Sequence, residues 1–212
     1  MSAEARAPAL VVLAAGAAER LGAVKALVRL REGEPGTPLA LLLAAGAAFD
    51  GAPALVIAGR AASAIARALP AGAECLANPR WSAGRTGGVQ LACARRPGQD
   101  LCLAPVDVPL VPRAVFAALH AEWQRLGRPA RGWLAPCVER AGERRHGHPV
   151  VVGRELLLEL KDFPPDRPLR ELRGRAAPCA ELLVDSESVL DDLDSPADLV
   201  RLRARLGGEG VS

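Results

Sequence analysis

Residues 13–25 read Leu13-Ala14-Ala15-Gly16-Ala17-Ala18-Glu19-Arg20-Leu21-Gly22-Ala23-Val24-Lys25, directly after the apolar run Ala9-Leu10-Val11-Val12. The run has the length and composition of a buried strand. The small residues behind it let the backbone turn sharply and bring its N–H groups against an anion. Arg20 offers a planar fork for phosphate oxygens, and Lys25 a point charge on a long stem. Two cations beside a glycine turn suit a triphosphate. The dinucleotide fingerprint needs Gly-x-Gly-x-x-Gly and the Walker loop needs Gly-Lys-Ser/Thr; the stretch has neither. Two plainer readings stay open: an alanine-rich helix start with scattered basic residues, and the apolar core of a signal peptide over residues 7–18. Glu4 in what should be a basic leader, and Pro8 at the head of the run, speak against the second.

The 212 residues fit a single α/β domain, and an apolar content of 50% is enough to build its core. No apolar stretch reaches the ~18 residues of a membrane span, so no membrane partner is expected. A net charge of +3, spread without a lysine-rich tail or aromatic platform, gives no reason to expect nucleic acid. Lys25 and Lys161 are the only lysines, which sets Lys25 apart from a generic solubilising residue. Cys75, Cys93, Cys102, Cys137 and Cys179 are odd in number, widely spaced and lack zinc-ligand spacing. They read as reduced thiols of a cytoplasmic protein.

Strand-like runs recur at 10–13, 54–57, 74–76, 101–103, 134–137, 150–152 and 180–184, most of them separated by helix-length amphipathic stretches. This alternation predicts a mainly parallel sheet with helices on both faces, which binds ligands at the carboxyl ends of its strands. Gly16, Asn78 and Asp107 therefore belong on one rim. Pro112-Arg113 opens a helix through Phe116, Leu119 and Trp123. Ser195-Pro196-Ala197-Asp198 supplies an N-cap, a first-turn proline and a first-turn acid for a last helix that Gly207 stops. The polar, basic segment 139–145 reads as a flexible loop over the rim.

Asp107 sits just past a hydrophobic strand between Pro105 and Pro109, a rigid placement that suits Mg²⁺, although a turn-forming Asp beside proline has the same appearance. Asp192 and Asp194, before the last helix, offer a second carboxylate, or else a cap or a solvated surface acid. Taken with the glycine turn and its two cations, the acids make a magnesium–nucleotide site. Phosphoryl and nucleotidyl transfer need positioning and charge neutralisation, so no catalytic triad is required. His120 falls on an amphipathic helix and reads as structural, whereas His146 and His148 stand at a strand edge.

These residues resemble the MobA-like nucleotidyltransferases, and within them the molybdenum cofactor cytidylyltransferase branch, over nearly the whole chain. The family opens with Leu-Ala-Ala-Gly-x-Ser-x-Arg-Met-Gly-x-x-Lys, and residues 13–25 keep all of it except Ala18 for Ser and Leu21 for Met. Its Asn-Pro-x-Trp-x-x-Gly motif is matched by Asn78, Pro79, Trp81 and Gly84, with Arg85-Thr86-Gly87-Gly88 in place of a serine-rich helix start. Asp107-Val108-Pro109-Leu110, Gly147-His148-Pro149-Val150 and the residues from Asp192 to Leu199 match three more motifs.

The resemblance implies a Rossmann-like α/β sheet of the GT-A nucleotidyltransferase type, with an added β-hairpin or lid. It implies Mg²⁺ on Asp107 and Asp194, with Asp192 as the fallback. Arg20 and Lys25 would grip the phosphates, while Leu13, Ala14, Ala15 and Gly16 border base and ribose. Asn78, Gly84, Arg85, Thr86 and Gly87 are assigned to the nucleotide, and Trp81, Gly88 and His148 to the acceptor side. The reaction implied is attack by an acceptor phosphate on the α-phosphorus of a nucleoside triphosphate, catalysed through Arg20, Lys25, Asp107 and Asp194. The Leu-Ala-Ala-Gly turn goes with CTP, and the branch with molybdopterin as acceptor. Related proteins instead cap sugar phosphates or phosphocholine. The missing hydroxyls at Ala18 and Gly88 keep a third course open, a non-catalytic partner that hands cofactor to a molybdoenzyme or its maturation factor. An NAD-type redox domain lacks its glycine pattern here.

Overall fold

The computed structural model describes residues 7–16, 20–49 and 52–208. Ala17, Ala18 and Glu19 of the opening motif, and Glu4, lie outside the described residues.

All seven strand-like runs form strands, and an eighth joins them. They are β1 (Ala9–Ala14), β2 (Leu55–Ala58), β3 (Glu74–Ala77), β4 (Leu101–Pro105), β5 (Trp133–Arg140), β6 (Glu143–His146), β7 (Val150–Val152) and β8 (Cys179–Leu183). One sheet holds them in the order β3-β2-β1-β4-β7-β5-β6, with β8 alongside β5. β1 pairs in parallel with β2 and β4, and β2 with β3. β7 is antiparallel to both β4 and β5, and β8 restores a parallel pairing with β5.

Alternate residues of β1 pack into different cores: Leu10, Val12 and Ala14 into one, Ala9 and Val11 into the other. Burial on both faces is why these strands read as unbroken apolar runs. The first face is covered by α1 (Pro38–Ala45), α2 (Ala62–Arg67) and α4 (Arg113–Arg125), through Leu39, Leu42, Ile65, Phe116, Leu119 and Trp123. The second is covered by α3 (Arg85–Arg95) and α5 (Arg154–Leu158), through Val89, Ala92, Leu156 and Leu157. Buried Asp100 accepts the Trp123 indole N–H at 3.0 Å and the Arg154 backbone N–H at 2.9 Å, so one carboxylate fastens a helix of each face beside the head of β4. Before α6 (Pro196–Gly208), Ser195 and Asp198 cap one another. The Asp198 N–H donates to Ser195 Oγ at 3.3 Å, and the Ser195 N–H to the Asp198 carboxylate at 2.9 Å. The helix runs one residue past Gly207.

The segment 139–145 is a hairpin, not a loop. Glu139 and Arg140 end β5, Ala141 and Gly142 turn at φ 53° and 81°, and Glu143 begins β6. Two positive φ angles in succession give the turn whose twist matches antiparallel strands. Its exposed residues are charged on both faces, so the apolar alternation that marks a half-buried strand is missing. Beyond β6 the chain breaks at Gly147-His148-Pro149 and then rejoins β5. Cys137 faces His146 whereas Leu134 faces Val151, a slip of two residues across the break. His148 thus stands where the chain leaves the outer part of β5 to slot between β4 and β5.

Candidate active site

Four strand ends share the rim: Gly16 after β1, Gly59-Arg60 after β2, Asn78 after β3 and Asp107 after β4. The loops close tightly because position 59 is glycine. A Cβ there would sit 2.6 Å from the Ala15 carbonyl oxygen and 2.9 Å from the Trp81 Cβ. Between the loops lies a cavity of about 230 Å³, lined by Leu13, Ala15, Gly16, Lys25, Trp81, Gly84, Arg85, Gly88 and Asp107.

A backbone hydrogen bond brings the distant acids to this cavity, as the Leu193 N–H donates to the Asp107 carbonyl at 2.7 Å. The Asp194 carboxylate accepts from Lys25 Nζ at 2.7 Å and from Arg20 at 3.4 Å. The Lys25 bond chiefly holds Asp194 below the ordinary carboxylate range. The Asp107 carboxylate pairs with Arg85. Asp192, although exposed, is crowded enough that partial desolvation and the neighbouring Asp107 and Asp194 carboxylates raise its pKa. Carboxylates close enough to disfavour one another's charge fit a divalent cation, and Mg²⁺ takes one or two of them and completes its shell with water and phosphate. Among the described residues no three acidic, His or Cys side chains form a full metal cage, and such an ion needs none.

A second cavity, of about 410 Å³, shares Leu13 and Arg85 with the first and is lined by Thr86, Trp133, His148, Asp166, Arg167 and Arg170 among others. Its outer wall is tied to α3. Thr86 Oγ1 donates to the Arg167 carbonyl, and Gln90 Nε2 to the carbonyls of Leu160 and Phe163 at 2.7 and 2.9 Å. Gly84, at φ 130°, allows the same wall to approach, since a Cβ would meet the Pro165 carbonyl oxygen at 2.6 Å. Burial lowers the His148 imidazole to about 4, against the pull of Asp107 and with some help from Arg85, so the ring is neutral at neutral pH. Its buried Nδ1 has no hydrogen-bond partner.

Most of the expected site residues divide between these two cavities, but not along the expected line: Trp81 and Gly88, expected on the acceptor side with His148, line the first, whereas Thr86, expected at the nucleotide, lines the second. Ala14 opens onto a third space of about 460 Å³, beside Gly16, Lys25 and Arg60. Buried Asn78 lines none of them: its Oδ1 accepts the Arg80 N–H at 3.0 Å, and its amide lies under Gly87 and Gly88. Gly87 packs against Pro165, and Thr86 spends its hydroxyl on the outer wall. His120 stacks on Phe49, with ring centres 5.1 Å apart, and His146 bonds Glu181 at 2.5 Å. Arg60, Trp133 and Arg170 line these spaces without belonging to any of the motifs above. Arg60 stands two residues past the end of β2, as Asp107 stands two past β4, so the same strand-end rule marks both. Arg170 lies in short 3₁₀ turns without a period to read.

The MobA-like NTP transferase domain matches residues 10–179, a span that ends before Asp192 and Asp194. No curated protein matches the chain at a significant level. Rv0371c of Mycobacterium tuberculosis H37Rv superposes with a TM-score of 0.76 at 26% identity, over 94% of this chain and 98% of that one. A complex of Rv0371C with manganese superposes at 0.71, again at 26% identity, over 93% and 98%. Molybdopterin-guanine dinucleotide biosynthesis protein A of Archaeoglobus fulgidus shares the fold, with a TM-score of 0.70 at 19% identity over 94% and 98%. The domain match spans most of the sequence and every wall of the first cavity, and the chain therefore belongs to the MobA-like NTP transferase family of nucleotidyltransferases.

Proposed function

We propose that the chain transfers a nucleoside monophosphate, CMP from CTP as the favoured case, to the phosphate of a small acceptor, molybdopterin as the favoured case. The observation that carries this reading is the junction of the two cavities at Leu13 and Arg85, beside Asp107. Transfer between two anionic substrates needs them to meet in line at one neutralised point.

The nucleotide occupies the first cavity, with base and ribose against the turn 13–16 and the triphosphate near Lys25 and Arg20, toward Arg60 in the adjoining third space. The acceptor occupies the second, where Trp133 supplies apolar surface, neutral His148 a directional hydrogen bond and Arg170 a positive charge. An acceptor phosphate oxygen forms the new bond to the α-phosphorus as the bond to the bridging oxygen breaks, releasing pyrophosphate. A phosphate monoester is already ionised near neutral pH, so no general base is needed, which agrees with a His148 held neutral. Asp107 and Asp194, with Asp192 as the fallback, would hold Mg²⁺, which when bound lowers the repulsion between the two reacting phosphates. Lys25 keeps Asp194 in place and sets a charge beside the departing pyrophosphate.

The Leu13-Ala14-Ala15-Gly16 turn supports CTP, the fold shared with the archaeal molybdopterin protein supports the acceptor, and the manganese complex of the mycobacterial relative supports a divalent ion. Gly88 needs no lost hydroxyl to explain it, because a Cβ there would sit 3.2 Å from Ile57 Cγ2. Five unpaired cysteines fit the cytoplasm, and among the described residues no helix is long and apolar enough to cross a membrane. Transient contact with a molybdoenzyme or its maturation factor would deliver the product.

Pyrophosphate release with Mg²⁺ tests the reading, comparing CTP, GTP, ATP and UTP against molybdenum-loaded molybdopterin, a sugar phosphate and phosphocholine. Release with CTP and molybdopterin alone is expected. Another active pair would keep nucleotidyl transfer and replace the substrate. No release from any pair, with CTP still bound, would leave the cofactor-handing partner.

A further inference from the structure

The three ion pairs around the acidic cluster differ in which partner is fixed. Lys25 is 12% exposed and Asp194 42%, so there the cation is the buried partner. Arg20, at 75%, reaches the same carboxylate from solvent. In the Arg85–Asp107 pair the order is reversed, with a guanidinium 60% exposed on a carboxylate only 13% exposed. Asp107 is also held through its backbone, whose carbonyl accepts the Leu193 N–H. Arg85 can leave this pair without opening the core, whereas Asp107 cannot. The same arginine lines both cavities at the point where they meet.

A cation bound directly to Asp107 competes with the guanidinium for carboxylate oxygens and repels it as a like charge at close range. We propose that Arg85 and a divalent cation compete for the Asp107 carboxylate, and that the displaced guanidinium turns to the phosphates where the two cavities meet. Arg85 is then an internal counterion first and a phosphate clamp second, its planar fork suited to both partners. The proposal rests on the reading of Asp107 as a metal ligand.

Mn²⁺ binding, followed by the loss of the free-ion EPR signal in protein without nucleotide, separates the two ideas. Arg85→Met keeps an unbranched, flexible stem and removes the guanidinium and its charge, and it should bind Mn²⁺ about tenfold more tightly than the parent, the size of one charge-assisted hydrogen bond that no longer competes. At saturating Mn²⁺ the same variant should bind CTP about tenfold more weakly. Arg85→Met with unchanged Mn²⁺ affinity, or with unchanged CTP affinity, overturns the proposal. Asp107→Asn should lose Mn²⁺ in both the parent and Arg85→Met backgrounds. Mn²⁺ retained by Asp107→Asn would remove the metal assignment itself, and Arg85 with it.

Discussion

β1, β2, β3 and β4 run parallel and end on one rim, so every loop that leaves them arrives beside the first cavity. The antiparallel part of the sheet reaches the second cavity another way, through Trp133 of β5, Val150 of β7 and His148. Its residues are placed by a hairpin turn at Ala141-Gly142, a break at Gly147-His148-Pro149 and a two-residue slip in register. Chain direction alone positions a group in the parallel half, while local irregularity positions it in the antiparallel half. Both cavities carry full charges, but the first pairs them as Lys25 with Asp194 and Arg85 with Asp107, whereas the second sets a neutral histidine beside Arg167 and Arg170.

If the halves divide the labour as nucleotide side and acceptor side, substitutions should sort by side. The largest effect is expected at the junction, where Asp107→Asn should lower kcat about a thousandfold or more while thermal unfolding stays as in the parent. Turnover within tenfold of the parent would remove Asp107 from the centre of the reaction. Next comes Lys25→Ala, with a rate loss of about a hundredfold, as for removal of one preorganised charge-stabilising donor, and weaker nucleotide binding, read by initial rates at varied CTP. A nucleotide KM that does not move would break the assignment of the first cavity.

On the other side, His148→Gln should raise the acceptor KM about tenfold and leave the nucleotide KM alone. His148 also carries a pH signature. Its folded pKa of about 4 lies below the ordinary 6.5, so the unfolded chain binds the proton first and stability falls as pH drops through that window. The loss is bounded at about 3 kcal/mol, and chemical denaturation of His148→Gln between pH 7 and 4 should show a flatter slope. An equal slope in parent and variant would place the proton elsewhere. The smallest effect belongs to the hairpin: Gly142→Ala, at φ 81°, should cost about 1 kcal/mol of stability by denaturant titration, with nucleotide binding unchanged.

The same contrast explains what the sequence made legible. β1 and β4 are buried on both faces, and a run such as Leu101-Cys102-Leu103 announces itself as a strand. Asp107 was legible for the same reason, as the acid beyond such a run. From the residues alone Asp194 reads only as one of two acids before the last helix, open to a cap or surface role, and the family motif singles it out. The contacts that bring it near, Leu193 N–H to the Asp107 carbonyl and Lys25 to its carboxylate, leave no local pattern. β6 stayed hidden behind Glu143, Arg144 and Arg145, whose charges carry no period of burial. Thr86 shows a further limit. The family motif assigns it to the nucleotide, whereas its hydroxyl is committed to the Arg167 carbonyl, in a segment that no local pattern connects to α3.

Which cavity takes the nucleotide is tested most directly by calorimetric titration of CTP with Mg²⁺ into the parent protein, Lys25→Ala and His148→Ala. CTP affinity should fall tenfold or more in Lys25→Ala, about the loss of one charge-assisted contact, and stay at the parent value in His148→Ala. Undiminished binding by Lys25→Ala, or a comparable loss in His148→Ala, would contradict the division of the two halves into a nucleotide side and an acceptor side.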